Sequence, residues 1–152
     1  MGGIKIRISK KSFLKLGLIG TIGLGLLFPS ISYAGSYNEI GYSFTIKANQ
    51  ANSRSAPEYR STTNRYEAWM VNVTESGEGN TAITQYWLEN AGGTNVSDAF
   101  PVAEIENTKY FPAYDNASQT DVYLTAQNNN YTSDTYGVTG YWDEETGVFY
   151  SH

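Results

Sequence analysis

Tyr42, Phe44 and Ile46 alternate with Ser43, Thr45 and Lys47, and this two-residue period recurs along the chain. Trp69, Val71 and Val73 alternate with Met70, Asn72 and Thr74, and Ile83, Gln85 and Trp87 interleave with Thr84, Tyr86 and Leu88. Val122, Leu124 and Ala126 alternate with Tyr123, Thr125 and Gln127; Tyr136, Val138, Gly140 and Trp142 close the series. Successive side chains of an extended chain point to opposite faces, so each run predicts a strand with one face inward. Beyond residue 35 no window repeats apolar residues at i, i+3, i+4 and i+7, and fourteen threonines favour extended backbone.

Turn chemistry falls between the runs, at Glu75–Gly79, Asn90–Gly93, Asn128–Asn130 and Asp143–Gly147. In the last of these, Trp142 and Val148 bracket five residues ending in Gly147, which predicts a type I turn closed by a left-handed glycine, with Asp143, Glu144 and Glu145 at a solvated hairpin tip. Six or seven short strands separated by such turns predict an all-β fold, an antiparallel β-sandwich in preference to a small barrel. The segment Gln50–Asn64 (QANSRSAPEYRSTTN) has little apolar content and predicts a long exposed loop.

The first 34 residues follow a different rule. Lys5, Arg7, Lys10, Lys11 and Lys15 precede the uncharged run Leu16–Phe28, Pro29 breaks it, and Ser32-Tyr33-Ala34 places small residues where a signal peptidase reads. As a helix the run spans about 20 Å, short of the roughly 30 Å hydrocarbon core of a bilayer. The expectation is a signal peptide over 1–34, cleaved after Ala34, and a single secreted domain over 35–152 without stable membrane insertion.

Composition changes what the core must be made of. From Gly35 onward only 17 of 118 residues are Leu, Ile, Val or Phe, below the roughly 20% that goes with disorder in highly charged chains. Twelve tyrosines and three tryptophans fill the gap, each able to bury on the order of 150–250 Å². With no cysteine anywhere, the domain holds together without disulfides or cysteine metal sites, so an aromatic core is expected to suffice.

Charge separates as sharply. The whole chain carries −5, but residues 35–152 hold five basic residues against fifteen carboxylates, a net −10. Nucleic acid is thereby excluded as a partner, since tracking phosphates needs a basic stripe. The only imidazole is the terminal His152, so serine-histidine catalysis and histidine metal sites lack their base or ligand. Carboxylate pairs for glycan hydrolysis are not singled out by any spacing, and the oxygen-rich run 128–134 lacks the ligand order of known calcium loops. No catalysis, cofactor or metal is expected.

Two sets of residues are the candidate binding surface. Arg54, Tyr59 and Arg60 in the expected loop combine planar bidentate donors with a rigid stacking face. Tyr110, Tyr114, Tyr131 and Tyr141 sit in or beside loop-like segments with Asn and Asp neighbours, the composition that stacks on sugar rings and bonds their hydroxyls.

The strings GYSFTIKANQAN (residues 41–52), WMVNVTESGEG (69–79), YWLEN (86–90) and above all YFPAYDNASQTDVYLTAQNNNYTSDTYGVTGYWDEET (110–146) resemble a domain-of-unknown-function family of small secreted proteins from Gram-positive bacteria, with the GYWDEE segment the most specific part. In size, leader and Tyr/Asn/Thr-rich strands the chain is also distantly similar to the lactococcin-like bacteriocins, exported β-sandwich proteins that act at the envelope of competing bacteria. It lacks their basic, histidine-containing character, and −10 opposes contact with an anionic wall at low salt. The resemblance implies a secreted non-enzymatic protein acting at the cell envelope, bacteriocin-like or associated with such a factor. A carbohydrate-binding module for wall or environmental polysaccharide is the alternative, and a two-carboxylate glycan hydrolase the least favoured reading.

Overall fold

A computed structural model describes residues 38–103, 105 and 107–150, all of them within one compact unit spanning residues 32–152. The predicted leader with its Ala34 cleavage point, and His152, lie outside the described residues. Eight strands are described: β1 (Ile40–Ile46), β2 (Ser53–Arg60), β3 (Trp69–Ser76), β4 (Thr84–Asn90), β5 (Phe100–Val102), β6 (Lys109–Phe111), β7 (Thr120–Asn128) and β8 (Tyr136–Asp143). They form two four-stranded antiparallel sheets, ordered β1-β8-β3-β6 and β2-β7-β4-β5. The fold is the all-β sandwich expected from the period, with two three-residue strands added to it.

The core between the sheets is aromatic. Tyr42, Phe44, Trp69, Tyr86, Tyr136 and Trp142 are buried with Ile46, Val71, Leu88, Val122 and Leu124. Tyr42 stacks on Phe44 with ring centres 5.0 Å apart and meets Tyr86 edge-on at 5.9 Å. Phe100 and Phe111 stack at 4.2 Å beside Trp69. Such pairs add about 0.5–1.5 kcal/mol each beyond the area they bury. The polar ends of the rings are accommodated: the Tyr42 hydroxyl donates to the Tyr86 hydroxyl at 3.1 Å, Thr84 and Tyr136 share a bond of 2.9 Å, and the Trp69 indole donates to the Pro112 carbonyl at 3.1 Å. Burial pushes the Tyr42 and Tyr86 phenols up, so both stay protonated. Gly140, in register with Tyr42 on one side and Val73 on the other, makes room for this row, since a Cβ there would lie 1.9 Å from the Asn72 carbonyl oxygen and 2.8 Å from the Tyr42 hydroxyl.

Two expectations are corrected. The segment Gln50–Asn64 is not a long loop: Ser53–Arg60 is β2, paired with β7 from Ser53↔Ala126 to Arg60↔Thr120. Its two fully inward residues are Ser53 and Arg60, so no apolar period marks it, and Pro57 is tolerated because β2 is an edge strand with a register break between Arg54 and Pro57.

Nor is Asp143-Glu144-Glu145 a solvated hairpin tip. Gly147 does take the left-handed conformation, at φ 72°. The chain nevertheless continues along the same neighbour. Met70 pairs with Asp143 and Glu67 with Phe149, so six residues advance against three and three are looped out.

The loop turns inward because it meets charge and backbone donors there. Arg60, fully buried, donates to the carbonyls of Glu144, Glu67 (2.7 Å) and Asn64 (3.4 Å). Glu145 accepts from the Ser61 hydroxyl and the Thr62 N–H, both at 2.6 Å; Asp143 accepts the N–H groups of Asn38 (2.8 Å) and Glu145 (2.9 Å); Glu67 accepts the Gly147 N–H at 3.1 Å. Burial pushes the Glu144 carboxyl up to about 7 and raises Asp143.

Candidate functional site

Three connections meet at one end of the sandwich. The β2–β3 connection brings Arg65 and Tyr66, the β4–β5 connection Asp98, and the β6–β7 connection Pro112, Ala113, Tyr114 and Asp115. Together they line a groove of about 430 Å³, within the range of small-ligand sites. Backbone bonds fix it: the Tyr114 N–H donates to the Val96 carbonyl at 2.8 Å, and the Ala113 N–H to the Arg65 carbonyl at 3.4 Å. A single 3-10 turn at Asp115–Ala117, closed by the Ala117 N–H on the Tyr114 carbonyl, carries the chain from the groove to β7.

The side chains there are paired but accessible. The Tyr114 hydroxyl donates to Asp98, and that bond raises the phenol above its ordinary value. Arg65 lies 3.6 Å from Asp115 and 4.9 Å above the Tyr66 ring. The groove thus offers two flat rings, a planar donor and two carboxylates, a set that stacks on apolar faces and exchanges hydrogen bonds with vicinal hydroxyls. Beside it, Tyr150 hydrogen-bonds the backbone of Tyr66 and Tyr110, extending the aromatic surface with the exposed Phe149.

The expected candidates are scattered more widely than the sequence suggested. Tyr114, 40% exposed, lies in the groove, and Tyr110, on β6, borders it through Tyr150. Tyr141, 45% exposed, stands on β8 in register with Asn72, away from the groove connections. Tyr131, 77% exposed, belongs to the β7–β8 connection, which is tied by the Asn49–Thr132 bond to the opposite end of the sandwich.

The grouping of Arg54, Tyr59 and Arg60 does not form. Arg54 and Arg60 stand near opposite ends of β2, about 20 Å apart at roughly 3.3 Å per residue. Arg60 is buried in the charge cluster, and Tyr59 is exposed on its own. Arg54 is engaged on its own sheet: its guanidinium lies 3.6 Å over the Tyr123 ring, 3.5 Å from Glu89, and donates to the Asn90 carbonyl. Arg65, Tyr66, Asp98 and Asp115, which line the groove, carry no motif or period that marks them in the sequence. The Arg65-Tyr66 and Tyr114-Asp115 pairs are visible in the sequence, but only the convergence of three connections makes them one surface.

Among the described residues no group of three or more His, Asp or Glu side chains is placed to hold a metal ion. Among them, too, no helix is long and apolar enough to cross a membrane. A family model described as protein of unknown function (DUF2712) matches residues 30–146, a span that takes in all eight strands. No curated protein and no solved structure matches the chain.

Proposed function

From the premise that the chain belongs to the DUF2712 family, whose description assigns no activity, we propose that it is an exported, non-enzymatic binding protein that takes a glycan of the bacterial envelope in the Tyr66/Tyr114 groove. The observation that carries this reading is the meeting of Tyr66, Tyr114, Arg65, Asp98 and Asp115 in one groove of about 430 Å³. A pyranose presents an apolar C–H face and a rim of hydroxyls. The two rings match the face; the guanidinium and carboxylates match the rim. A neutral or basic polysaccharide suits a domain of net charge −10 better than an anionic one does. The glycan reading absorbs the envelope role and leaves bacteriocin-like killing as a separate property, read by growth inhibition of neighbouring strains.

Affinity electrophoresis of residues 35–152 through gels containing wall or environmental polysaccharides tests the proposal. Retardation is expected, weakened roughly tenfold in affinity by Tyr114→Ala or Tyr66→Ala and unchanged by Tyr131→Ala at the far end. No retardation by any polysaccharide of a broad panel, or retardation indifferent to both groove substitutions, overturns it.

A further inference from the structure

The groove is unevenly equipped for hydrogen bonding. Its main-chain donors are largely taken up by the fold: the Tyr66 N–H goes to the Asn64 side-chain oxygen at 3.0 Å, the Ala113 N–H to the Arg65 carbonyl at 3.4 Å and the Tyr114 N–H to the Val96 carbonyl at 2.8 Å. Pro112 has no N–H to offer. The Tyr114 hydroxyl gives its hydrogen to Asp98 Oδ1. What remains for a ligand is chiefly acceptor: the second oxygen of Asp98, the lone pairs of the Tyr114 hydroxyl and the Asp115 carboxylate.

Charge leans the same way. Asp115 is answered by Arg65 at 3.6 Å, whereas Asp98 makes no ion pair with any described residue. One cation against two carboxylates leaves the groove at 1 − 2 = −1, within a domain of −10. The Arg65–Asp115 pair is loose, longer than a hydrogen bond and with side chains 50% and 80% exposed, so it holds its geometry weakly. The Tyr114 bond, in contrast, fixes Asp98 beside an aromatic ring.

Resting on the reading of this groove as a glycan site, we propose that its ligand is a glycan carrying free amino groups, and that Asp98 selects the ammonium over an N-acetylated or hydroxylated counterpart. An ammonium brings three donors and a positive charge. On a pyranose stacked against Tyr114 it gives one hydrogen to Asp98 and another to the phenolic oxygen, and charge-assisted bonds are roughly twice as strong as neutral ones. An acetamido group at the same ring position is uncharged, and its carbonyl needs a donor that the main chain here has already placed within the fold. A hydroxyl suits the acceptors but adds no charge. Attraction of the amine and rejection of the acetamide therefore act together.

Three hexasaccharides of one linkage, built from glucosamine, N-acetylglucosamine and glucose, share their ring faces and differ only at the second ring carbon. Titration calorimetry of residues 35–152 with each, in mildly acidic buffer that keeps the amine charged, tests the inference. The glucosamine oligomer is expected to bind at least about tenfold tighter than either of the others. Asp98→Asn keeps an acceptor for the Tyr114 hydroxyl and removes the charge; it should bring the glucosamine oligomer to within about twofold of the N-acetylated one and leave the other two unchanged. Asp134→Asn makes the same charge change on an exposed residue of the β7–β8 connection, at the opposite end, and should leave the preference intact. Melting curves of both variants establish that the fold is kept. Equal binding of the three oligomers, each weakened by Tyr114→Ala, overturns the inference while the groove reading stands. No binding of the glucosamine oligomer also overturns it, and the polysaccharide panel then decides the groove reading separately. A preference that survives Asp98→Asn, or that Asp134→Asn abolishes equally, overturns it too.

Discussion

Replacing Arg60 with methionine keeps most of the side-chain stem and removes only the guanidinium. That group is fully buried and donates to three backbone carbonyls, those of Glu144, Glu67 and Asn64. Its charge also faces Glu67, Glu145, Glu144 and Asp143, which favour its protonated form against the opposing effect of burial. Charge-assisted hydrogen bonds contribute about 1.5–3 kcal/mol each when lost, and breaking a buried ionic arrangement on one side costs about 3–5 kcal/mol. These figures overlap, so the loss is set at about 3–5 kcal/mol, a large part of the 5–15 kcal/mol typical of a domain. The midpoint of thermal unfolding should fall by roughly 10–20 °C. Urea unfolding of residues 35–152 at about pH 8 and about pH 5 measures both the size and the origin of the effect. Without the cation, ionised carboxylates are left facing one another, so the variant should recover part of its deficit at the lower pH. A loss under about 1 kcal/mol, or an equal loss at both pH values, would refute the reasoning that Arg60 acts as the cluster's counter-charge.

The parent protein carries a related pH dependence. Because burial lifts Glu144 from its ordinary 4.5 to about 7 and raises Asp143, the folded state keeps protons that the unfolded chain releases. Stability should therefore decline as pH rises from about 4.5 to about 7 and level off above, by about 1–2 kcal/mol once partial solvation is allowed for. Glu144→Gln should flatten that slope in urea midpoints taken across the range. Gly140→Ala should prevent a cooperative fold, since its Cβ would sit 1.9 Å from one backbone atom of Asn72 and 2.9 Å from another; a melt within about 1 kcal/mol of the parent would contradict the packing. Gly137→Ala, whose Cβ would meet nothing within 4 Å, is the matched control.

How far the fold can be read from the sequence depends on what each strand turns inward. β1, β3, β4, β7 and β8 direct Tyr42, Trp69, Tyr86, Leu124 and Trp142 to the core, and the aromatic period exposes them. β2 is hidden because its inward positions are Ser53 and Arg60, and β5 and β6 because three residues are too few to show a period. Three consecutive carboxylates at 143–145 beside a glycine point to solvent on local grounds alone. What buries them is an arginine 84 residues earlier in the chain, together with backbone donors that no local pattern encodes. Burial of charge is thus decided by a distant partner, whereas burial of rings is decided by their own surface.

The groove obeys the same distinction. Tyr114 was legible as an aromatic in a polar connection, but its neighbours Asp98 and Arg65 arrive from two other connections. The inward rows constrain where those connections start and end, through pairs such as Trp69↔Phe111 and Asn90↔Val122, without constraining what they carry. Side chains at this end can therefore change while the aromatic rows stay in place. If the groove is the binding site, substitutions at Tyr66 and Tyr114 should move affinity with little effect on the melt, and substitutions at Arg60 and Gly140 should do the reverse. That separation follows from the geometry because the groove side chains bond chiefly to one another, and Arg60 bonds to the backbone of the fold itself.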